Sequence, residues 1–145
     1  MGEKKELDDG LYARIAALTE RGDRECEAER FREAMADFRQ ALALIPEPQE
    51  EWEATTWVLT ALGDCAFQLG DFAAAHGYLT RAVRGPNGLG NPFIHLRLGQ
   101  AQHDLGNEAR AKDELARAYM SGGPEIFEDE DPKYLEFLRR FMAGI

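Results

Sequence analysis

The sequence predicts an all-α fold, three antiparallel helix hairpins in series closed by a C-terminal capping helix. Three observations carry that prediction. Gly22, Gly63 and Gly99 are each followed by alanine twelve positions on (Ala34, Ala75, Ala111), by a bulky apolar residue sixteen on (Phe38, Leu79, Leu115) and by alanine nineteen on (Ala41, Ala82, Ala118). Repetition at fixed offsets is the mark of stacked supersecondary units, each of which buries its apolar face on the next. Within every unit the apolar residues recur at helical intervals, stop at Glu29-Arg30, Gly70-Asp71 or Gly106-Asn107, and then resume. After Gly122-Gly123-Pro124, the segment DPKYLEFLRRFM places Tyr134, Leu135, Phe137, Leu138, Phe141 and Met142 at helical spacing once more.

Taken in order, the hairpins span about 11–48, about 49–88 and about 92–123, with the cap at about 131–143. Glycine and two alanines in each unit let neighbouring helices approach, and Phe38, Leu79 and Leu115 fill the space between them. The distance from Gly22 to Gly63 is 41 positions and from Gly63 to Gly99 is 36. The segment PEPQEEWEATTW is expected to hold the longer insertion by extending the front of the second hairpin's first helix, since seven residues make nearly two turns. RGPNGLGNP holds the shorter one as a loop. Pro48 and Pro92 then fall near helix starts, where a missing amide costs little. In the cap, Tyr134, Leu138 and Phe141 are expected to cover the last apolar face, with Lys133, Glu136, Arg139 and Arg140 toward water.

These residues resemble the tetratricopeptide repeat family. Leu59, Leu62, Gly63, Gly70, Phe72, Ala75, Leu79 and Ala82 lie on the family pattern in the second unit. Leu18, Gly22, Phe31, Ala34, Phe38, Ala41 and Pro46 do so in the first, and Leu98, Gly99, Gly106, Ala111, Leu115 and Ala118 in the third. Two features depart from it: the aromatic three positions after the glycine is Glu25, Ala66 or Gln102, and Glu108 replaces the phenylalanine seen at Phe31 and Phe72. The resemblance implies a right-handed superhelix whose first helices line a concave groove for a protein partner.

Composition narrows the class of partner. Seventeen basic and 27 acidic residues give a formal charge of −10, which opposes nucleic acid and anionic membranes and favours cationic partners. With 44% hydrophobic residues the 145-residue chain supports one core. No stretch reads as a transmembrane span, MGEKKELDDG lacks the apolar run of a signal peptide, and Glu6 stands where a myristoylation motif after Gly2 requires Ser or Thr. A cytoplasmic location is the default expectation.

Chemistry-bearing patterns are sparse. GPNGLGNP lacks the lysine of a phosphate loop, and neither a nucleophile elbow nor a zinc-protease helix motif occurs. Cys26 and Cys65 have neither zinc-site nor disulfide-scaffold spacing and read as packing thiols. His76, His95 and His103 are scattered, and His95 takes the place of Leu18 and Leu59 in the other units, which reads as packing. No enzyme activity, metal or cofactor is expected.

The unrepeated stripe of the first helices is the expected site. Positions six and three before each glycine and one and five after it share a face. They are Ala16, Thr19, Asp23 and Glu27; Trp57, Thr60, Asp64 and Gln68; then Phe93, Leu96, Gln100 and Asp104. The partner-binding residues are expected to be Asp23, Glu27, Trp57, Thr60, Asp64, Gln68, Phe93, Gln100 and Asp104, an acidic and aromatic groove suited to a basic partner with an apolar anchor. Family members that clamp an acidic C-terminal tail use lysine, arginine and asparagine. Here Asp23 and Asp64 occupy the asparagine positions, and Thr19 and Thr60 stand where lysine would serve. The acidic run Glu128 to Asp131 reads as a capped, solvated turn.

The segments GNPFIHLRLGQ, LGNEARAKDELARAYM and EIFEDEDPKYLEFL are similar to compact repeat proteins of polymorphic toxin systems, which implies an immunity partner neutralising a toxin. Small acidic repeat chaperones of type III secretion are the alternative, and a self-associating structural adaptor is a third.

Overall fold

Each break foreseen in the sequence ends one helix and starts another. The computed structural model describes residues 7–145, so Gly2 and Glu6 lie outside the described residues. Among the described residues the helices are α1 (Asp9–Glu27), α2 (Phe31–Leu44), α3 (Glu53–Gln68), α4 (Phe72–Val83), α5 (Pro92–Asp104), α6 (Glu108–Gly122) and α7 (Pro132–Arg139), with 3-10 turns at Gln49–Glu51 and Pro124–Phe127. The three hairpin breaks sit in left-handed backbone, with φ of 58° at Glu29, 78° at Gly70 and 85° at Gly106. Glycine adopts that conformation without a Cβ clash, whereas Glu29 bears it as a local cost. Polar caps fix several starts: Asp8 accepts from the Gly10 and Leu11 amides, Asp71 from Ala74, Asn91 from Phe93 and Ile94, and Asp131 from Lys133.

α1 packs on α2, α3 on α4 and α5 on α6, and the hairpins join through α2 with α3 and α4 with α5. The phased glycines are where paired helices come closest. A Cβ on Gly22 would stand 2.7 Å from the Phe38 ring and one on Gly99 2.6 Å from Leu115, and one on Gly63 would collide with Leu79. Ala34, Ala41, Ala75, Ala82, Ala111 and Ala118 are fully buried at the same contacts. The result is an all-helical superhelix with one apolar cluster that runs through the first two hairpins into α5, by way of Ile94, Leu98 and Ala101, and a second that includes Leu96, Leu115, Phe127, Tyr134, Phe137 and Leu138.

Two expectations need correction. PEPQEEWEATTW does not mainly lengthen a helix: α3 has 16 residues against 19 in α1 and 13 in α5, and its first helical residue is Glu53. Pro46 and Pro48 stop α2, and the chain folds back in a turn. There the Gln49 amide donates to the Leu42 and Ile45 carbonyls at 2.7 and 3.1 Å, and the Trp52 indole donates to the Pro46 carbonyl at 2.9 Å. Side chains thus satisfy carbonyls that α2 leaves open. The second correction concerns the cap. Tyr134 and Leu138 are buried as expected, but Phe137 rather than Phe141 completes the face, because α7 ends at Arg139 and Phe141 is 44% exposed.

Candidate functional site

The first helices present side chains to a common groove. Ala16, Thr19 and Asp23 of α1, Trp57, Thr60 and Asp64 of α3, and Phe93 of α5 line one opening of about 590 Å³, over a floor that includes Ile15, Val58 and Ala61. The fixed offset from each glycine explains the convergence, since the same register on three parallel helices faces the same side. Its apolar rim is open: Tyr12 is 63% and Trp57 65% exposed. Thr19 and Thr60 spend their hydroxyl donors within their own helices, on the Ala16 and Thr56 carbonyls at 3.0 and 2.7 Å.

The two groove aspartates are unlike. Asp23 is exposed, yet the desolvation it does suffer, then the nearby Glu27 and Glu20 charges, push its carboxyl above the usual range. Among the described residues no hydrogen bond or ion pair answers its charge. Asp64 instead accepts from the Arg97 guanidinium at 2.8 Å and from the Gln68 amide at 3.3 Å.

Arg97 is the residue that stripe reasoning missed. Its side chain is only 7% exposed, and its Nη1 also donates to Gln100 at 2.7 Å and to Glu130 at 2.6 Å. Its guanidinium carbon lies 4.9 Å from the Phe67 ring centre and 4.8 Å from that of Phe93. Planar and delocalised, a guanidinium can stack on aromatic rings while its edge donates to carboxylates, as an ammonium cannot. The signal in the sequence was an arginine embedded in the apolar run of IHLRLG, where the helix pattern buries every side.

This hub removes part of the expected surface. Gln100 is fully buried and donates to Glu130 at 2.7 Å, so the acidic run before α7 is not merely a solvated turn. Asp104 accepts from the Tyr134 hydroxyl at 2.5 Å and the Lys133 ammonium at 2.9 Å, and it contacts His103 at 3.2 Å. Burial by itself would raise the Asp104 carboxyl, but these three partners outweigh it and hold the group below the usual range. Burial and the Asp104 charge together push the Tyr134 hydroxyl upward. Gln100 and Asp104 are therefore engaged by the C-terminal segment, while Glu27 and Gln68 are exposed on the flank and do not line the opening. Trp57, Thr60, Asp64, Asp23 and Phe93 remain together.

His95 does more than fill space. The Gly90 amide donates to its Nε2 at 2.9 Å and its Nδ1 lies 2.6 Å from Glu114, so the buried ring ties the preceding loop to α6. The cysteines, distant in sequence, meet: Cys26 Sγ lies 3.4 Å from Cys65 Sγ. No group of three or more histidine, cysteine or carboxylate side chains among the described residues is arranged to hold a metal. No described helix is long and apolar enough to cross a membrane.

Comparison with known proteins agrees with this architecture. The tetratricopeptide repeat family model matches residues 13–85. No curated protein sequence matches the chain. Among solved structures, the first TPR domain of Spaghetti (RPAP3), bound to the HSP90 peptide SRMEEVD, superposes with a TM-score of 0.67 at 19% identity, covering 88% of this chain and 90% of that one. The C-terminal TPR-containing domain of a Plasmodium falciparum FK506-binding protein gives 0.73 at 16% identity, covering 94% and 91%. The Yersinia enterocolitica type III secretion chaperone SycD, in complex with a peptide of the translocator YopD, gives 0.68 at 13% identity, covering 87% and 90%. At these identities the superpositions speak for the fold. With the phased glycines at the helix contacts and the family model spanning the first two hairpins, the chain belongs to the tetratricopeptide repeat family.

Proposed function

We propose that this protein is a non-enzymatic interaction module that holds a protein segment in the groove of α1 and α3, seating an apolar side chain against Trp57 and a lysine or arginine at Asp23. One observation carries the reading: an open aromatic, 65% exposed, shares a groove with an exposed carboxylate that no counter-charge answers among the described residues. A cation delivered by the partner would lower the Asp23 pKa and convert a local cost into a charge-assisted hydrogen bond. Asp64, already paired with Arg97, contributes shape more than net charge.

The structural likeness to a secretion chaperone in complex with a translocator peptide supports a client-holding role. An immunity protein covering a basic toxin surface would use the same acidic rim. Panning a displayed peptide library against the full chain tests the recognition chemistry. The expected enrichment is an aromatic or long aliphatic residue near a lysine or arginine, with Trp57→Ala and Asp23→Asn each weakening the selected peptide about tenfold or more. Enrichment of acidic tails, or binding indifferent to both substitutions, would sink the proposal. Capture from the source organism then separates the roles: a toxin silenced at one-to-one stoichiometry, a client kept soluble before export, or a second copy of the chain.

A further inference from the structure

The two cysteine sulfurs lie 3.4 Å apart although 39 positions separate them in sequence. We propose that Cys26 and Cys65 form a reversible intramolecular disulfide that fastens α1 to α3, the inner helices of the first and second hairpins. A sulfur–sulfur bond is about 2.0 Å long, so the pair needs to close by about 1.4 Å, within reach of a side-chain rotation and a small helix adjustment.

Accessibility sets the order of events. Cys26 is half-buried and Cys65 fully buried, so a small oxidant meets Cys26 first. With a low-molecular-weight disulfide such as oxidised glutathione as oxidant, the Cys26 thiolate attacks one of its sulfurs. A mixed disulfide forms, and one glutathione leaves as a thiolate that takes up a proton. The Cys65 thiolate then attacks the Cys26 sulfur and expels the second glutathione, which is likewise protonated. In sum, two protein thiols lose two electrons and two protons to one small disulfide, which becomes two thiols.

Burial first, then the nearby Asp64 and Asp23 charges, push the Cys26 thiol upward despite its contact with Cys65. The Cys65 thiol is raised as well, again mainly by burial. Thiolates are therefore scarce, and exchange is slow in both directions. The bond would also add a tie on the groove side, because the two hairpins otherwise join chiefly through α2 and α3.

The test uses the 145-residue chain, reduced and then equilibrated in glutathione buffers of increasing oxidised fraction. Alkylation and mass spectrometry should show a monomer that has lost both free thiols, retains no glutathione and yields a Cys26–Cys65 linked peptide. Its melting temperature should rise by roughly 10 °C and fall back with dithiothreitol, as expected for cross-linking a loop of this length. Cys65→Ser should stop at the mixed disulfide on Cys26, and Cys26→Ser should leave Cys65 unreacted. The proposal is overturned if native wild-type protein keeps both thiols free in buffers that oxidise the same chain in urea. Glutathione persisting on Cys26 would overturn it too, as would disulfide-linked dimers.

Discussion

Replacing Arg97 with methionine tests whether the buried guanidinium, rather than apolar packing alone, secures the third hairpin to the C-terminal segment. At an effective dielectric of 20 and a charge separation near 4 Å, each of its two carboxylate partners is worth roughly 4 kcal/mol before desolvation. Burying the guanidinium offsets a large part of that sum, so the net value of the hub is much smaller. Deleting the cation alone is costly because Asp64, Glu130 and Gln100 are left behind. Breaking a buried pair in this way typically costs about 3–5 kcal/mol. The Asp64 and Glu130 side chains are 31% and 17% exposed and can regain water, which places the expected loss near the lower bound, about 3 kcal/mol. Unfolding entropy for 145 residues is about 0.3 kcal/mol/K, so the melting temperature should fall by about 10 °C. Urea denaturation of Arg97→Met, Glu130→Gln and the double variant would form a cycle with a coupling of at least about 1 kcal/mol. A loss below about 1 kcal/mol for Arg97→Met, or a coupling indistinguishable from zero, would refute the assignment of a charged hub.

Three further outcomes follow from packing and titration. Gly63→Ala should destabilise by about 1–3 kcal/mol because its Cβ collides with Leu79, whereas Gly77→Ala, helical and with open space around it, should stabilise by roughly 0.5–1 kcal/mol in the same urea assay. Leu138→Ala, at a fully buried site on the inner face of the capping helix, should cost about 2–4 kcal/mol in urea denaturation. Opposite pH signatures should distinguish the aspartates. The lowered Asp104 pKa gives stability that is present above the unfolded value and lost as pH falls through the folded value, so Asp104→Asn should destabilise at neutral pH and not in strong acid. Asp23 is raised, so its ionisation costs stability as pH climbs through the folded value; Asp23→Asn should stabilise at neutral pH, with the difference vanishing in acid.

The sequence by itself determined the repeat architecture, because each rule involved is local or strictly periodic. Only glycine and alanine permit the close helix crossings, so Gly22, Gly63 and Gly99 announced their partners Phe38, Leu79 and Leu115 at a constant offset. The same register placed Asp23, Trp57, Asp64 and Phe93 on one groove. What the tertiary structure alone decided depends on segments far apart in the chain. Glu130 returns to Arg97 and Gln100, and Tyr134 returns to Asp104, which turns the third stripe from open surface into an internal contact. Cys26 meets Cys65 for the same reason. Helical period specifies which face a residue occupies; which other segment covers that face is set by chain return and side-chain reach, and no spacing in the sequence encodes either.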